Sequence, residues 1–168
     1  LQGYAEIHVV GWSMGVWAAS HVVPTLGLNI GSSTAINGTP FPIDEQRGIP
    51  PVIFQGTLEG LTGASLHKFL RRMCADSAAF RDFLSRTPRR PLEEVRDELD
   101  CIARQYAGQP QPTLKWTEAI VGSNDRIIPP ANQLNAWHEL GTAAMQTEDA
   151  HYQESLFKHY LQDRWTNN

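Results

Sequence analysis

The chain has 168 residues, 41% hydrophobic and 19% charged, with a formal net charge of −4. It is long enough to bury the core of one soluble domain, and its acidic balance disfavours nucleic acid as a partner. No apolar run is long enough to span a bilayer, so no membrane partner is expected.

The sequence opens Leu1-Gln2-Gly3-Tyr4, without Met, and reaches a strand almost at once. That strand, residues 6–10, is rich in Val and Ile and bounded by Gly11. Parallel strands are normally buried between neighbours, so further strands are expected ahead of Leu1, with a small self-contained fold as the alternative. The run Gly11-Trp12-Ser13-Met14-Gly15 follows, and then a buried helix through Val16, Trp17, Ala18 and Ala19 that stops before Pro24. Gly-x-Ser-x-Gly between a strand and a helix is the pattern of a nucleophile elbow. Small residues at 11 and 15 would permit the tight turn, Ser13 would stand exposed at the sheet's carboxyl edge, and the Met14 N–H would face a developing oxyanion. The other reading is an ordinary glycine-rich turn.

Residues 28–43 predict a second strand that enters a turn at Asn37-Gly38 and Pro40. Three helical stripes come next. Leu66, Phe69, Leu70 and Met73 share one face, with Ser65 as N-cap. Phe80, Phe83 and Leu84 form a second stripe. Leu92, Val95, Leu99, Ile102 and Tyr106 form a third, introduced by Pro91, with Glu93 and Glu94 in its first turn, and ended by Gly108. Residues 117–122 then read as a strand, 130–140 as a helix, 142–148 as a strand and 153–165 as a closing helix. Strands and helices alternate at both ends around a helical insertion, which predicts an α/β parallel sheet carrying a lid. The expected division is 1–57 with 111–168 as core and 58–110 as lid. Cys74 and Cys101 lack metal-ligand and disulfide-framework spacing, which makes a reducing, cytoplasmic location the expectation.

A serine nucleophile needs a base, and the base needs an orienting acid. Asp125 follows the predicted strand at 118–121 and His151 follows the one at 143–147, so the chain order is Ser, Asp, His, the order of the α/β-hydrolases. His8 lies within a strand; His21, His67, His138 and His159 fall on helices, where packed or solvated roles are the default. Asp149 is too near His151 in sequence to come from a separate loop and is read as structural.

The segments GWSMGVWAA, AINGTPFPIDEQRGIPPVIFQGTLEGL, FLRRMCADSAAF and VGSNDRIIPPANQLNAW with DAHY together resemble the pimeloyl-[acyl-carrier protein] methyl ester esterases of the BioG type. These are α/β-hydrolases of biotin synthesis. The resemblance runs through nearly the whole chain. It implies Ser13 as nucleophile, Asp125 as acid and His151 as base, with no metal or organic cofactor. It also implies that a segment ahead of Leu1 carries the first strands and the second oxyanion N–H. The implied partner is an acyl-carrier protein bearing pimeloyl methyl ester, and the oligomeric state stays open. Carrier proteins are acidic, and residues 66–90 carry seven basic side chains against two acidic ones. Lys68, Arg71 and Arg72 lie opposite the apolar stripe of their helix and, with Arg89 and Arg90, form the expected docking face; a merely solvated face is the alternative. Two rival functions remain at this level: another activity of the same triad (small-ester carboxylesterase, thioesterase or C–C hydrolase), or a non-catalytic binding protein on a hydrolase scaffold.

Overall fold

The structure, a computed structural model, describes residues 3–108 and 111–163. Four strands, β1 (Ile7–Trp12), β2 (Ile30–Ile36), β3 (Glu118–Gly122) and β4 (Ala144–Thr147), form one sheet in the order β1-β2-β3-β4. All three pairings are parallel. β1 does not end at Gly11: Gly11 pairs with Ala35 and Trp12 with Ile36, so the strand runs to the residue before Ser13. It is half-buried rather than buried, because only β2 pairs with it among the described residues.

The alternation of side chains sorts the sheet into two faces. Ala35, Ala119 and Val121 pack with Val16 and Trp137 on one side. Ile36 and Ile120 pack with Tyr160 on the other, where Val10, Trp12, Leu156 and Phe157 join them. Val16 belongs to α1 (Met14–Val22) and Trp137 to α6 (Pro130–Glu139), so these two helices cover the first face. On the opposite face lies α7 (Glu154–Lys158), which passes into a π-helical turn, His159–Asp163. Residues 164–165 of the expected closing helix lie outside the described residues.

Between β2 and β3 come α2 (Pro51–Glu59), α3 (Gly63–Met73), α4 (Ser77–Arg86) and α5 (Leu92–Ala107). α2 begins ahead of the insertion expected at 58. Its Val52, Ile53 and Gly56 mask the helical pattern, and Pro51 at its first position was the usable signal. The α3 cap is Thr62, not Ser65. The Thr62 hydroxyl accepts from the Ser65 N–H at 3.1 Å, and the Ser65 hydroxyl accepts from the Thr62 N–H at 2.8 Å, a reciprocal capping box. Pro24 ends α1 as expected but starts a further 3₁₀ turn, Val23–Leu26. Ala18, expected within a buried helix, and Leu84, expected on an apolar stripe, are exposed. Phe54, Met73, Phe80 and Ile102 from the four helices pack with Trp17, Ile127 and Ile128 in one apolar cluster. The helices therefore sit on α1 and on the loop that leaves β3.

Candidate active site

The carboxyl ends of the strands bring the site together. Trp12 pairs with Ile36 at the last positions of β1 and β2, and Gly122 pairs with Thr147 at the last positions of β3 and β4. Ser13 directly follows β1, Asp125 comes three residues after β3, and His151 comes four residues after β4.

Ser13 has φ 54° and ψ −128°, a conformation that L residues rarely adopt and that costs on the order of 1–3 kcal/mol. Its N–H donates to Ile36 O at 3.1 Å, and its carbonyl accepts the Val16 N–H at 3.1 Å as α1 begins. Strand hydrogen bonding thus continues through a residue that already turns into the helix, which leaves the hydroxyl outside both ladders. Space for the turn comes from Gly11 and Gly38, not from Gly15. A Cβ on Gly11 would lie 2.7 Å from Trp116 Cη2, and one on Gly38 would lie 2.4 Å from Ser13 O, whereas one on Gly15 would meet nothing within 4 Å. Gly38→Ala is expected to destabilise the fold by about 1–3 kcal/mol, because the clash is with backbone that cannot swing away. Thermal unfolding followed by circular dichroism should show it as a drop of about 2–4 °C per kcal/mol. An unchanged midpoint would mean that the elbow has slack.

The Ser13 hydroxyl lies 3.0 Å from His151 Nε2, and His151 Nδ1 lies 2.8 Å from Asp125 Oδ2. The side chains of His151 and Asp125 are 1% and 0% exposed. With Nδ1–H donating to the carboxylate, Nε2 is left to accept the hydroxyl proton. The buried carboxylate is fully supplied with donors. Oδ1 accepts the N–H groups of Ile127 at 2.7 Å and Ile128 at 3.1 Å, and Oδ2 also accepts from Gln133 Nε2 at 2.8 Å. The first two close a turn of the type Asp favours, and Pro129 then caps α6. The His151 carbonyl is held by Trp12 Nε1 at 2.9 Å and Asn37 Nδ2 at 3.0 Å. Asn37, buried and at φ 44°, also accepts the Gly122 N–H at 2.7 Å and so ties the ends of β2 and β3 to the His151 loop.

A cavity of about 710 Å³ opens from Ser13 beneath α2–α5, walled by Phe54, Leu70, Phe83, Leu99, Ile102 and Tyr152. Burial first, and then the Glu154 carboxylate, raise the Tyr152 phenol above its usual range. Burial likewise raises the Cys74 thiol, which disfavours the thiolate a nucleophile would need. Met14 lines the cavity as the first residue of α1, where helix N–H groups lack intrahelical partners.

The basic residues read from the sequence separate into two sets. Lys68, Arg72 and Arg89 are exposed, with no carboxylate in ion-pair range among the described residues. Arg71 does not face outward as expected. It is half-buried, its guanidinium reaches Cys74 O at 3.4 Å and Ser77 Oγ at 3.3 Å, and it lies over the Phe80 ring. Arg90 is paired with Glu98 and Glu94 of α5. Three polar groups of the site escaped sequence reasoning: Trp12, Asn37 and Gln133. Asn37 read as an ordinary turn residue. Gln133 carried a usable signal, a glutamine on the face of α6 shared by Ala136 and Trp137.

A parallel sheet with helices on both faces, and a serine at the strand-to-helix turn, define an α/β-hydrolase. The naproxen esterase of Bacillus subtilis shares this fold at a TM-score of 0.54 and 12% identity, over 96% of this chain and 59% of that one. Within that class the chain belongs to the family described as pimeloyl-ACP methyl esterase BioG, whose pattern matches residues 1–163. It is similar to the crystal structure of BioG from Haemophilus influenzae, with a TM-score of 0.86 and 40% identity over 96% of this chain and 74% of that one. It is also 51% identical over 161 residues to the malonyl-[acyl-carrier protein] O-methyltransferase of Bacteroides fragilis (strain 638R). That match takes in 96% of this chain but spans only 33% of the Bacteroides protein.

Proposed function

We propose that the protein is a serine esterase that cleaves the methyl ester of a pimeloyl chain carried on an acyl-carrier protein, in biotin synthesis. The observation that carries this reading is the hydrogen-bonded row Ser13, His151, Asp125, at 3.0 and 2.8 Å, opening into an apolar cavity. An apolar cavity suits a methylene chain with an uncharged ester at its end, which presents no charge to be desolvated. The name of the Bacteroides relative supports the same chemistry: methylation of a carrier-linked acid makes the kind of ester that an esterase removes.

In this mechanism His151 Nε2 takes the hydroxyl proton as Ser13 Oγ attacks the ester carbonyl carbon. The Met14 N–H donates to the oxyanion. His151 returns the proton to the departing methoxide, which leaves as methanol. Water, deprotonated by His151, then attacks the acyl carbonyl carbon; His151 returns that proton to Ser13 Oγ as the pimeloyl chain leaves as a carboxylic acid. Residues 58–110 serve as the lid over a core of 1–57 and 111–168. Lys68, Arg72 and Arg89 offer their charge to the acidic carrier; Arg71 and Arg90 contribute less, being already engaged within the chain.

The test compares initial rates on carrier-bound pimeloyl methyl ester and on free pimeloyl methyl ester. The carrier-bound substrate should have the higher kcat/KM. Lys68→Glu with Arg89→Glu should lower kcat/KM for it by about tenfold or more at low salt, much less at high salt, and change the free ester little. Neither side chain lines the cavity. Equal kcat/KM on both substrates would instead assign a general carboxylesterase, and a loss indifferent to salt would remove the docking role.

A further inference from the structure

We infer that Gln133 is a positioning residue for this reaction, holding the oxygen of Asp125 that His151 uses. The inference rests on the reading of Asp125 and His151 as acid and base.

The donors around the carboxylate are unequally divided. Both backbone N–H groups, from Ile127 and Ile128, bind Oδ1. Oδ2 receives His151 Nδ1 at 2.8 Å and Gln133 Nε2 at 2.8 Å. Without Gln133 the only partner left on Oδ2 would be His151 itself, and rotation about Oδ1 would draw Oδ2 out of the line of the imidazole. The orientation of the amide follows from its neighbours. Nε2 also donates to Ile128 O at 2.9 Å, so a flipped amide would set its oxygen against two acceptors.

The residue is also an awkward choice for packing. It is fully buried, and among the described residues its Oε1 has no hydrogen-bond partner. A buried acceptor left unpaired is unfavourable, whereas a Met or Leu of similar size would fill the same space without one. What those residues cannot supply is the donor to Oδ2.

The experiment is a double-mutant cycle on the full-length protein, with Gln133→Met made alone and together with Asp125→Asn; Gln133→Leu serves if the Met variant folds poorly. The readouts are kcat and KM on free pimeloyl methyl ester and the rate at which a fluorophosphonate labels Ser13. The labelling rate reports only the folded, competent fraction. Gln133→Met should lower kcat and the labelling rate by about ten- to a hundredfold with KM within about twofold, and should cost less than about twofold in the Asp125→Asn background. A loss of equal factor in both backgrounds would show a general packing role and overturn the inference, as would an unchanged kcat. The two readings fail separately. If Asp125→Asn alone is harmless, the triad reading falls; if it is damaging and Gln133→Met is not, only the role of Gln133 falls.

Discussion

Ser13→Ala is expected to reduce ester turnover by on the order of 10⁶-fold, to background, while the protein stays folded. The two consequences separate because of where the hydroxyl sits. It is outside the hydrogen bonds that shape the elbow, which run from Ser13 N–H to Ile36 O and from Val16 N–H to Ser13 O, both at 3.1 Å. Alanine keeps both, and at φ 54° it bears the same backbone strain as serine. Only the bond to His151 Nε2 is lost, and the cavity that Ser13 lines has room for a water in place of the hydroxyl. Thermal unfolding should therefore shift little, while fluorophosphonate labelling and methanol release should both disappear. A variant keeping more than about a tenth of normal turnover would exclude Ser13 as nucleophile, since a residual of that size is far above what triad knockouts leave.

Asp125→Asn should lower kcat by about 10⁴-fold, through the tautomer of His151 rather than through loss of structure. The geometry specifies how. The N–H groups of Ile127 and Ile128 require an oxygen at the Oδ1 position, so the new amide must present its NH₂ where Oδ2 was. That NH₂ faces His151 Nδ1, which can then only accept, and the imidazole proton moves to Nε2. An Nε2 that already carries a proton cannot take one from Ser13. The same NH₂ opposes Gln133 Nε2, donor against donor, which adds a small stability cost. KM should change little, because neither Asp125 nor His151 forms the apolar cavity wall. A crystal structure of the variant with an intact backbone, together with a kcat loss of less than about tenfold, would show that Asp125 does not support the base.

How much of this was legible in the sequence varies with the range of the interaction. α5 was placed from Pro91 to Gly108 because helix signals are local: the apolar spacing, the proline ahead of the first turn and the terminal glycine all lie within its own segment. β3 and α6 were legible for the same reason. α2 was not, since β-branched residues and an internal glycine obscure its period while packing of Phe54 against Met73, Phe80 and Ile102 sustains it. The cap of α3 lies three residues ahead of the Ser65 that the sequence predicts, because Thr62 and Ser65 both suit the role and only their reciprocal bonding decides between them.

By itself the sequence determined the alternation of strand and helix, the elbow at Ser13, and the order of Ser13, Asp125 and His151 at three strand ends. Each of these follows from side-chain period or from a residue's distance to the end of its own strand. Only the tertiary structure decided what holds the three in line. Trp12 reaches a carbonyl 139 positions away, and Asn37 bonds a strand end 85 positions away. It also decided that Gly38 rather than Gly15 makes room for the elbow, that Arg71 turns inward to the α3–α4 junction, and that Gln133 faces Asp125. These pairings depend on strand register and on how a helix is rotated over the sheet. Both are set by the sum of the packing contacts, and no single segment of the chain encodes them.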